Sequence, residues 1–300
     1  MTLPMTTLAH ISDIHLSPMP HIPLRDLVGK RITGYLNWKM RRNEELNSET
    51  LANLVTHMQS QNVDFTAVTG DLVNLALDVE VDRAGRWLEA LGSSERIAVC
   101  PGNHDAYVPG ALESAQHRWG PYMRGEMLDE AAFPFVRRVG DLAVISCSSA
   151  VPTRPFLAVG RFDEQQAERL GRILKSMGDA QYFRTVLIHH PPNPELQHPS
   201  FGLKGHKLFR QVIAEFGAEL ILHGHTHRSS IHSIAGRGRE VPVVGVAAAS
   251  AAQGGKLDDP ARYNLFRIER EGSGWTCTMR EYGFQRLGSE IVMRMQMRIH

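Results

Sequence analysis

Short apolar runs rich in β-branched residues recur along the chain, and Gly, Asp or Asn follows several of them. Runs of this length beside turn-forming residues are typical of buried strands. The pattern predicts six strands in the first three quarters of the chain, at Thr6–Ile11, Val63–Val68, Ile97–Val99, Leu142–Ser146, Thr185–Ile188 and Leu220–Leu222.

Segments between these strands show the apolar spacing of amphipathic helices. In the first of them Leu51, Leu54 and Val55 share one face, and Ser48 is a suitable N-cap. Because strands alternate with helices, the pattern predicts an α/β fold with buried sheets. The four predicted helices are Asn47–Met58, Val81–Leu91, Gln165–Met177 and Leu203–Phe216.

The pattern changes after Thr226, where apolar runs follow one another without helices between them. The strands predicted there are Ser229–Ile234, Val241–Val246, Tyr263–Ile268 and Trp275–Glu281. This antiparallel-looking part predicts a second sheet packed on the first. Because the chain has no internal repeat, low-complexity tract or linker, we expect residues 1–300 to form a single domain.

Residues 21–45 form an insert between the first strand and the first helix, with six basic and three acidic residues. The simplest interpretation is a surface helix packed on the body of the protein. Two alternatives stay open: a lid over a functional site, and a basic amphipathic surface in peripheral contact with membrane phospholipid. The residues that give part of the insert an apolar helical face are Ile22, Leu24, Leu27, Val28, Ile32, Tyr35 and Leu36.

The C-terminal tail, at about residues 290–300, alternates strictly between apolar and polar side chains from Met293 to Ile299. This alternation predicts a strand with one buried face. Such a strand pairs either with a sheet edge of its own chain or with a partner subunit, which would produce a homo-oligomer. The sequence does not choose between the two.

The charge of the chain is nearly balanced, with 33 Lys and Arg against 32 Asp and Glu. No global basic field attracts a nucleic-acid backbone, so we expect no stable nucleic-acid partner. The three well-separated cysteines Cys100, Cys147 and Cys277 are typical of free thiols in a reducing compartment. No apolar run is long enough to cross a bilayer, and the first predicted strand leaves no room for a signal peptide. We therefore expect a soluble cytoplasmic protein.

Polar side chains with metal-binding chemistry follow five of the predicted strands. Each group alone is a weak signal, because dipeptides such as Gly-Asp are common at turns. Their joint occurrence, each where a strand ends and a turn begins, predicts a metal site. The five motifs are Asp13-Ile14-His15, Gly70-Asp71, Gly102-Asn103-His104-Asp105, His189-His190-Pro191 and Gly224-His225-Thr226-His227.

Two of the motifs contain a pair of ligands two residues apart. In extended backbone the side chains of Asp13 and His15 leave the strand end on the same side, so a carboxylate and an imidazole can hold one ion. His225 and His227 repeat this arrangement at another strand end. His223 lies in phase with them, and is either a third ligand or, more simply, a buried strand histidine.

The other ligands are expected singly at their strand ends. Asp71 has two oxygens that can bridge two metals, and Asn103 offers an amide oxygen after Gly102, which lets the backbone turn sharply. His189 follows its strand, and Pro191 stiffens the loop after it. Nitrogen and oxygen donors without a thiolate favour manganese, iron, zinc or cobalt.

The expected chemistry is phosphoryl transfer with two metals. Ions about 3.5–4 Å apart would turn a bridging water into hydroxide and hold a phosphate oxygen for in-line attack. In such chemistry side chains need not form covalent intermediates, so the reaction is accelerated by well-placed charges and by a proton donor. His104 is the candidate for giving the leaving group its proton or for a hydrogen bond to the transition-state oxyanion. Asp105 is expected to orient its imidazole and to stabilise the charge on it.

The five motifs together resemble those of the calcineurin-like metallophosphoesterases, which carry D-x-H, G-D, G-N-H-D, H-H-x-P and G-H-x-H in this order. The resemblance implies a four-layer α/β/β/α sandwich of two mixed sheets flanked by helices, with two metals at the strand ends and His104 catalytic. The form His-His-Pro-Pro is most similar to the branch of bacterial class III cyclic-nucleotide phosphodiesterases and glycerophosphodiesterases. The implied ligands are Asp13, His15, Asp71 and His227 for one metal and Asp71, Asn103, His189 and His225 for the other.

The resemblance implies a metal-dependent phosphodiesterase whose small substrate is of the cyclic-nucleotide or glycerophosphodiester type. Three alternatives stay open. They are a phospholipid-directed phosphodiesterase that uses the insert at membranes, a non-catalytic scaffold of the same fold, and a nuclease, which the balanced charge of the chain disfavours. His190 is expected to point away from the metals. His198 and His206 are weaker candidates for substrate contacts, and Arg154 and Arg161 for phosphate contacts.

Overall fold

Two six-stranded mixed sheets form the centre of the protein, and helices cover their outer faces. This computed structural model describes residues 5–23, 27–39, 47–251, 259–272, 274–285 and 290–300. One buried cluster takes apolar side chains from both sheets, among them Leu8, Val144 and Leu222. The sheets therefore pack on each other, which confirms the predicted α/β sandwich.

The first sheet contains the first three strands of the chain and the last three. Its strands are β1 (Met5–Ile11), β2 (Phe65–Val68), β3 (Ile97–Val99), β12 (Arg262–Glu271), β13 (Gly274–Phe284) and β14 (Ile291–Arg298). They lie in the order β14-β13-β12-β1-β2-β3. The first three strands are parallel, and β12 joins them antiparallel to β1.

The second sheet is built from the middle of the chain. Its strands are β4 (Phe135–Val139), β5 (Leu142–Ser146), β7 (Phe183–Leu187), β9 (Leu220–His223), β10 (Ser230–Ala235) and β11 (Glu240–Gly245). They lie in the order β10-β11-β9-β7-β5-β4, and β5, β7, β9 and β11 are parallel. A separate parallel pair is formed by β6 (Gly160–Arg161) and β8 (Leu203–Lys204).

The helices of the described residues lie between the strands, as predicted. They are α1 (Lys30–Asn37), α2 (Ser48–Gln59), α3 (Asp78–Leu91), α4 (Ala111–Trp119), α5 (Glu164–Asp179) and α6 (His206–Phe216). The cap of α2 is Asn47, whose side chain accepts hydrogen bonds from the amides of Glu49 and Thr50. The expected cap, Ser48, is therefore wrong by one residue.

Two further differences from the predicted helices have local causes. The helix expected from Leu203 begins at His206, because Leu203 and Lys204 extend beside β6. The pattern does not predict α4, whose nine residues bury only two alanines and Trp119. So small an apolar face is too weak a signal to distinguish a helix from a loop.

Each sheet is covered by its own pair of helices. Leu170 of α5 and Phe209 of α6 are fully buried with Val186 of the second sheet. On the other side, Leu54 of α2 and Leu88 of α3 belong to the cluster that includes the first sheet. Each fully buried side chain of this size contributes about 1.5–3 kcal/mol relative to exposure. This packing holds the strand ends in fixed positions.

The strands after Thr226 do not form a separate sheet, so that part of the prediction is wrong. β10 and β11 extend the second sheet beside β9, and β12, β13 and β14 extend the first sheet beside β1. Strand pairing uses backbone groups, so an apolar pattern does not specify which edge a strand joins. The C-terminal part thus places β1 and β9 in the interior of the two sheets.

The C-terminal tail forms β14, which pairs antiparallel with β13 at the edge of the first sheet. Met295 and Ile299 pack against the buried core, whereas Met293 is 51% exposed. A register shift between Glu281 and Tyr282 of β13 interrupts the alternation, so only part of the expected face is buried. The tail therefore uses a sheet edge of its own chain, and a homo-oligomer through its outer edge stays a prediction.

The insert contributes α1 and the short segment before it. Residues 24–26 and 40–46, which include Leu24, lie outside the described residues. α1 lies on the body of the protein, since the Arg31 guanidinium donates hydrogen bonds to the carbonyl oxygens of Leu75 and Ala76. Tyr35 packs against the core, and no side chain of α1 is fully buried.

No helix in the described part of the chain is long and apolar enough to cross a membrane. The cysteines Cys100, Cys147 and Cys277 are buried and form no disulfide. Burial raises the pKa of each thiol above its ordinary value, so all three stay protonated at neutral pH.

Candidate metal centre

The five motifs meet where the carboxyl ends of parallel strands from both sheets come together. In the first sheet β1, β2 and β3 lead into the motifs of Asp13, Asp71 and Asn103. In the second sheet β7 and β9 lead into those of His189 and His225. The amide of His225 donates a hydrogen bond of 3.0 Å to Oδ2 of Asp13, which joins the two sheets at this edge.

Left-handed backbone is concentrated in these motifs. Such a φ is unfavourable for residues with a Cβ atom, costs about 1–3 kcal/mol each, and gathers at functional sites. The extended backbone expected for the two ligand pairs is wrong, because β1 ends at Ile11 and β9 at His223. Turns after the strands bring the paired side chains together instead. The φ values are 53° at Asp13, 39° at His15, 57° at Asp71, 68° at His225 and 54° at His227.

The first ligand group contains Asp13, His15 and His227, whose candidate donor atoms all lie within 4.8 Å of one another. Oδ1 of Asp13 is 3.2 Å from Nε2 of His227 and 4.0 Å from Nε2 of His15. Asp13 and His15 are fully buried. A carboxylate and two imidazoles from the ends of β1 and β9 thus converge.

The second group contains Asp71, His189 and His225, again with donor atoms within 4.8 Å of one another. Nε2 of His189 is 3.3 Å from Oδ2 of Asp71 and 3.2 Å from Oδ1 of Asn103. The structure therefore brings all the predicted ligands to one place, in these two groups and in a third one, His15, Asp71 and His104, that overlaps both sides.

Asp71 connects the two groups. Its Oδ2 is 3.9 Å from Nε2 of His15 on one side and 3.3 Å from Nε2 of His189 on the other. A Cβ atom at Gly102 would lie 2.1 Å from Oδ1 of Asp71. The sequence suggested that Gly102 allows a sharp turn, but its role here is to leave room for this carboxylate.

Backbone carbonyls orient three of the imidazoles. A carbonyl oxygen only accepts hydrogen bonds, so Nδ1 carries the proton and Nε2 faces the site. The carbonyls were not predicted, because backbone groups leave no mark in a sequence motif. The pairs are His15 Nδ1 with the oxygen of Val73 at 3.1 Å, His189 Nδ1 with that of Thr69 at 2.5 Å, and His104 Nδ1 with that of Asn74 at 2.5 Å.

His104 lies at the mouth of the site and is partly exposed. Its amide donates a hydrogen bond of 2.7 Å to Oδ1 of Asp71, and its ring stands edge-on to His15 at 4.8 Å. The ring also stacks on Tyr107 at 5.4 Å. His104 therefore lies beside the buried ligands and is itself reached by solvent.

Asp105 has a different place from the expected one. Its Oδ2 accepts hydrogen bonds from the amides of Asp71 at 2.9 Å and Gly102 at 2.8 Å. Its Oδ1 accepts another from the amide of Leu72 at 2.9 Å. The carboxylate thus fixes the loop that carries Asp71. The expectation that it orients the His104 imidazole is corrected, because a backbone carbonyl accepts from that ring.

The ligand groups set one another's charge. Burial alone would raise the pKa of Asp71, but the charges of His189 and His104 hold that pKa well below its usual range. Burial opposes protonation of His189, yet the charge of Asp71 and its hydrogen bond raise the pKa of His189 to about 9. Burial and then the charge of Asp71 raise the pKa of Asp105 to about 7. These shifts arise from the close approach of acidic and basic groups in a dry interior.

Two further buried histidines support the site from outside the ligand groups. His190 bonds to Ser149 Oγ at 2.8 Å through Nδ1 and to the carbonyl oxygen of Ala158 at 3.1 Å through Nε2. His223 is the last residue of β9, and its Nδ1 bonds to the carbonyl oxygen of Gly224 at 2.9 Å. Both ring nitrogens of His190 are thus bonded away from the ligands, whereas Nε2 of His223 is buried without a hydrogen-bond partner among the described residues. Neither ring belongs to a candidate ligand group.

The weaker candidates lie outside these groups. His198 is exposed, and Nδ1 of His206 bonds to a backbone carbonyl oxygen at 3.1 Å. Arg154 and Arg161 are also exposed, on the segment that follows β5. Tyr107 and Lys30, which the motifs did not indicate, do lie near the site, since Nζ of Lys30 is 4.4 Å above the Tyr107 ring.

The donor set fits divalent first-row cations. Carboxylate, amide and imidazole groups converge without a thiolate, and such borderline nitrogen and oxygen ligands suit manganese, iron, zinc and cobalt. The carbonyl partners of the histidine rings are the hydrogen bonds that hold metal-ligating imidazoles in proteins. The residues present are therefore chemically suited to metal ions.

Comparison with solved structures supports the architecture. The fold is similar to that of a dimetal phosphatase from Danio rerio, with a TM-score of 0.61, 14% identity, and coverage of 96% of this chain and 98% of that chain. It is also similar to purple acid phosphatase PPD1 from yellow lupin, with a TM-score of 0.57 and 12% identity. That match covers 94% of this chain but 52% of the lupin enzyme, so this chain spans about half of it.

Comparison with curated proteins finds no significant match. The sequence pattern of the family described as calcineurin-like phosphoesterase matches residues 6–229. This range contains all five motifs and most of the 300 residues. The chain therefore belongs to the calcineurin-like phosphoesterase family.

Proposed function

We propose that this protein is a metal-dependent phosphodiesterase with two divalent cations. Membership of the family supports metal-dependent hydrolysis of phosphoesters. The observation that carries the proposal is the position of Asp71, whose Oδ2 lies between His15 at 3.9 Å and His189 at 3.3 Å. One carboxylate between two ligand groups is the arrangement that a shared bridging ligand requires.

Each cation would be held by one group together with Asp71. When bound, manganese, iron, zinc or cobalt ions would supply positive charge for the phosphate and a water activated for attack. The proposed ligands are Asp13, His15, Asp71 and His227 for one ion, and Asp71, Asn103, His189 and His225 for the other.

The residues around the cations carry the remaining chemistry. His104 would donate a proton from Nε2 to the leaving alkoxide in its imidazolium form, since Nδ1–H is bonded to the carbonyl of Asn74 and only Nε2–H is left for the substrate. Asp105 is a positioning residue that keeps the Asp71 loop in place through backbone amides. The presence of His104 beside a full ligand set favours an enzyme over a non-catalytic scaffold.

A small diester of the cyclic-nucleotide or glycerophosphodiester type is the proposed substrate class. The form His-His-Pro-Pro at residues 189–192 supports this class, because it resembles that bacterial branch of the family. The balanced charge of the chain does not favour a nucleic acid. We also propose that residues 1–300 act as one domain in the cytoplasm, where buried free thiols persist.

A substrate panel tests the proposal. Manganese-loaded protein is assayed with cyclic nucleotides, glycerophosphodiesters, phospholipids and aryl phosphates, each as diester and monoester. We expect kcat/KM for one diester class to exceed that for the matched monoester by about a hundredfold or more. Asp71→Asn serves as the inactive control. A preference for monoesters would refute the diesterase and leave family-level phosphoester hydrolysis in place.

A further inference from the structure

Three surface segments form a continuous rim on one side of the site. They are residues 27–39, 151–161 and 197–205, and we call them together the rim. Nζ of Lys30 donates hydrogen bonds to Thr153 Oγ1 at 2.6 Å and to the carbonyl oxygen of Leu157 at 3.3 Å. Between the other two segments, backbone bonds of 3.0 Å and 3.2 Å join residues 158 with 200 and 160 with 202.

The rim touches the site directly. Nε2 of His225 bonds to the carbonyl oxygen of Phe201 at 2.9 Å, and Nε2 of His190 bonds to that of Ala158 at 3.1 Å. On the opposite side, Nζ of Lys30 lies 4.4 Å above Tyr107, the ring that stacks on His104. Whatever covers the rim therefore lies beside the mouth of the site.

The rim exposes large apolar side chains to solvent. Ile32 and Leu36 lie four residues apart on one face of α1, and Phe156 sits in a left-handed turn with φ of 66°. Exposed apolar groups concentrated beside a polar site are typical of an interaction surface. The exposed fractions are 82% for Phe156, 66% for Val28, 51% for Leu36, 46% for Ile32, 43% for Phe201 and 36% for Leu157.

The charge of the rim is one-sided. Its three segments contain six lysines and arginines and no aspartate or glutamate, although the whole chain has a net charge of only +1. Two of the cations, Lys30 and Arg31, are held by hydrogen bonds to the protein. The other four are exposed: Lys39, Arg154, Arg161 and Lys204.

We propose that the rim docks on the surface of a bilayer that contains anionic phospholipid. Apolar side chains inserted among the headgroups and cations beside the phosphates are the two contributions that hold a peripheral protein at such a surface. A second copy of this chain is a poor occupant, because two rims of the same charge repel each other.

The docked orientation also bears on the substrate class. With the rim on the bilayer, the mouth of the site would face the headgroup layer, which favours the phospholipid-directed alternative over the small soluble diester proposed above. This second step rests on the proposed phosphodiesterase activity, whereas docking itself does not. The structure thus favours the membrane-directed alternative for the insert.

Vesicle co-sedimentation tests the docking. The full chain is mixed with vesicles of phosphatidylcholine alone or of equal parts phosphatidylcholine and phosphatidylglycerol. We expect binding to the anionic vesicles only, and release at about 0.5 M NaCl, where charges are screened within about 4 Å. Absence of binding to anionic vesicles, or equal binding to both compositions, would overturn the proposal.

Variants assign the binding to the rim. Ile32→Ser with Phe156→Ser should weaken binding to anionic vesicles by about tenfold or more, as should Lys39→Gln with Lys204→Gln. Met293→Ser is the matched control, because Met293 is 51% exposed on β14, outside the rim. Equal loss in the control variant, or full binding by both rim variants, would refute the assignment.

Hydrolysis of a water-soluble aryl phosphodiester separates docking from catalysis. The rim variants should keep this activity within about twofold, which also shows that they are folded. If wild-type protein binds vesicles but hydrolyses no diester, docking stands and the proposed function fails. If it hydrolyses the soluble diester without binding vesicles, the proposed function stands and docking fails.

Discussion

Nε2 of His189 lies 3.3 Å from Oδ2 of Asp71, and both side chains are buried. Burial opposes a proton on the imidazole, but the charge of Asp71 raises the pKa of His189 to about 9. At neutral pH His189 is therefore protonated in this pair. A metal ligand must be neutral, so a cation that binds here replaces that proton.

Metal binding to protein stripped with a chelator should release protons and tighten as pH rises. At a pH below the His189 pKa of about 9, the ring carries a second proton that the metal must displace. For one linked proton, the affinity for the metal should therefore rise by about tenfold per pH unit as the pH increases from 7 towards 9. Calorimetric titration with Mn²⁺ in two buffers of different ionisation enthalpy measures the protons released. Affinity independent of pH, with no proton released, would contradict this pair.

Asp71→Asn should remove both cations together. Asp71 adjoins both ligand groups, and an amide provides less negative charge and no second anionic oxygen to share. Metal content per chain is measured by elemental analysis after gel filtration. Asp179→Asn is a suitable control, because its side chain is 65% exposed at the end of α5. Unchanged metal content in Asp71→Asn would exclude the bridge.

His104→Ala should lower turnover while leaving the cations bound. Loss of a general acid typically reduces kcat by about 10²–10⁴-fold. The ring is partly exposed and bonds to the Asn74 carbonyl, and the bond to Asp71 comes from the His104 backbone amide, which alanine keeps. Removal of the ring should therefore leave the other ligands in place. His117→Ala on the exposed face of α4 controls for loss of a histidine. If metal content falls with activity, His104 is a ligand and its assigned role is wrong.

Asp105→Asn should destabilise the fold. The carboxylate accepts hydrogen bonds from the buried backbone amides of Asp71, Leu72 and Gly102. In Asn one of the two oxygens becomes an NH₂ group, which cannot accept a hydrogen bond from these amides. Above the Asp105 pKa of about 7, where the group is ionised, lost charge-assisted bonds and an unsatisfied amide cost about 2–4 kcal/mol together. Urea unfolding measures this difference in the free energy of unfolding.

A helix cap provides the comparison for Asp105. Asp163 caps α5 through the amide of Gln166, and Asn caps helices about as well as Asp. Asp163→Asn should therefore change stability by about 0.5 kcal/mol or less. Equal stability of the two variants would show that Asp105 does not hold the loop.

The apolar pattern predicted the strands and most helices because burial imposes it residue by residue. Leu142–Ser146 forms β5 as predicted, and β3 has its predicted bounds as well. Pairing across sheets was not predictable in the same way. β11 runs parallel to β9, and β12 runs antiparallel to β1, through backbone hydrogen bonds that any sequence can make.

The residue types in the motifs were enough to predict the candidate site, but they did not predict its geometry. Asp13 and His15 were expected to converge through strand alternation, but they converge through left-handed turns beyond the strand. Tertiary contacts stabilise such turns, and no local pattern of apolar residues indicates them. Asp105 was expected to orient the ring of its neighbour His104. Its carboxylate instead accepts from the backbone amides of Gly102 and of Asp71, which is more than thirty positions away in the sequence. A motif thus shows which chemistry is present but not which backbone groups complete it.

Anomalous diffraction from a crystal of the full chain soaked with Mn²⁺ tests the central claim most directly. We predict two peaks about 3.5–4 Å apart, with a carboxylate oxygen of Asp71 in contact with both. One peak should lie beside His15 and His227, and the other beside Asn103 and His189. A single peak, or two peaks that do not share Asp71, would contradict the two-metal centre.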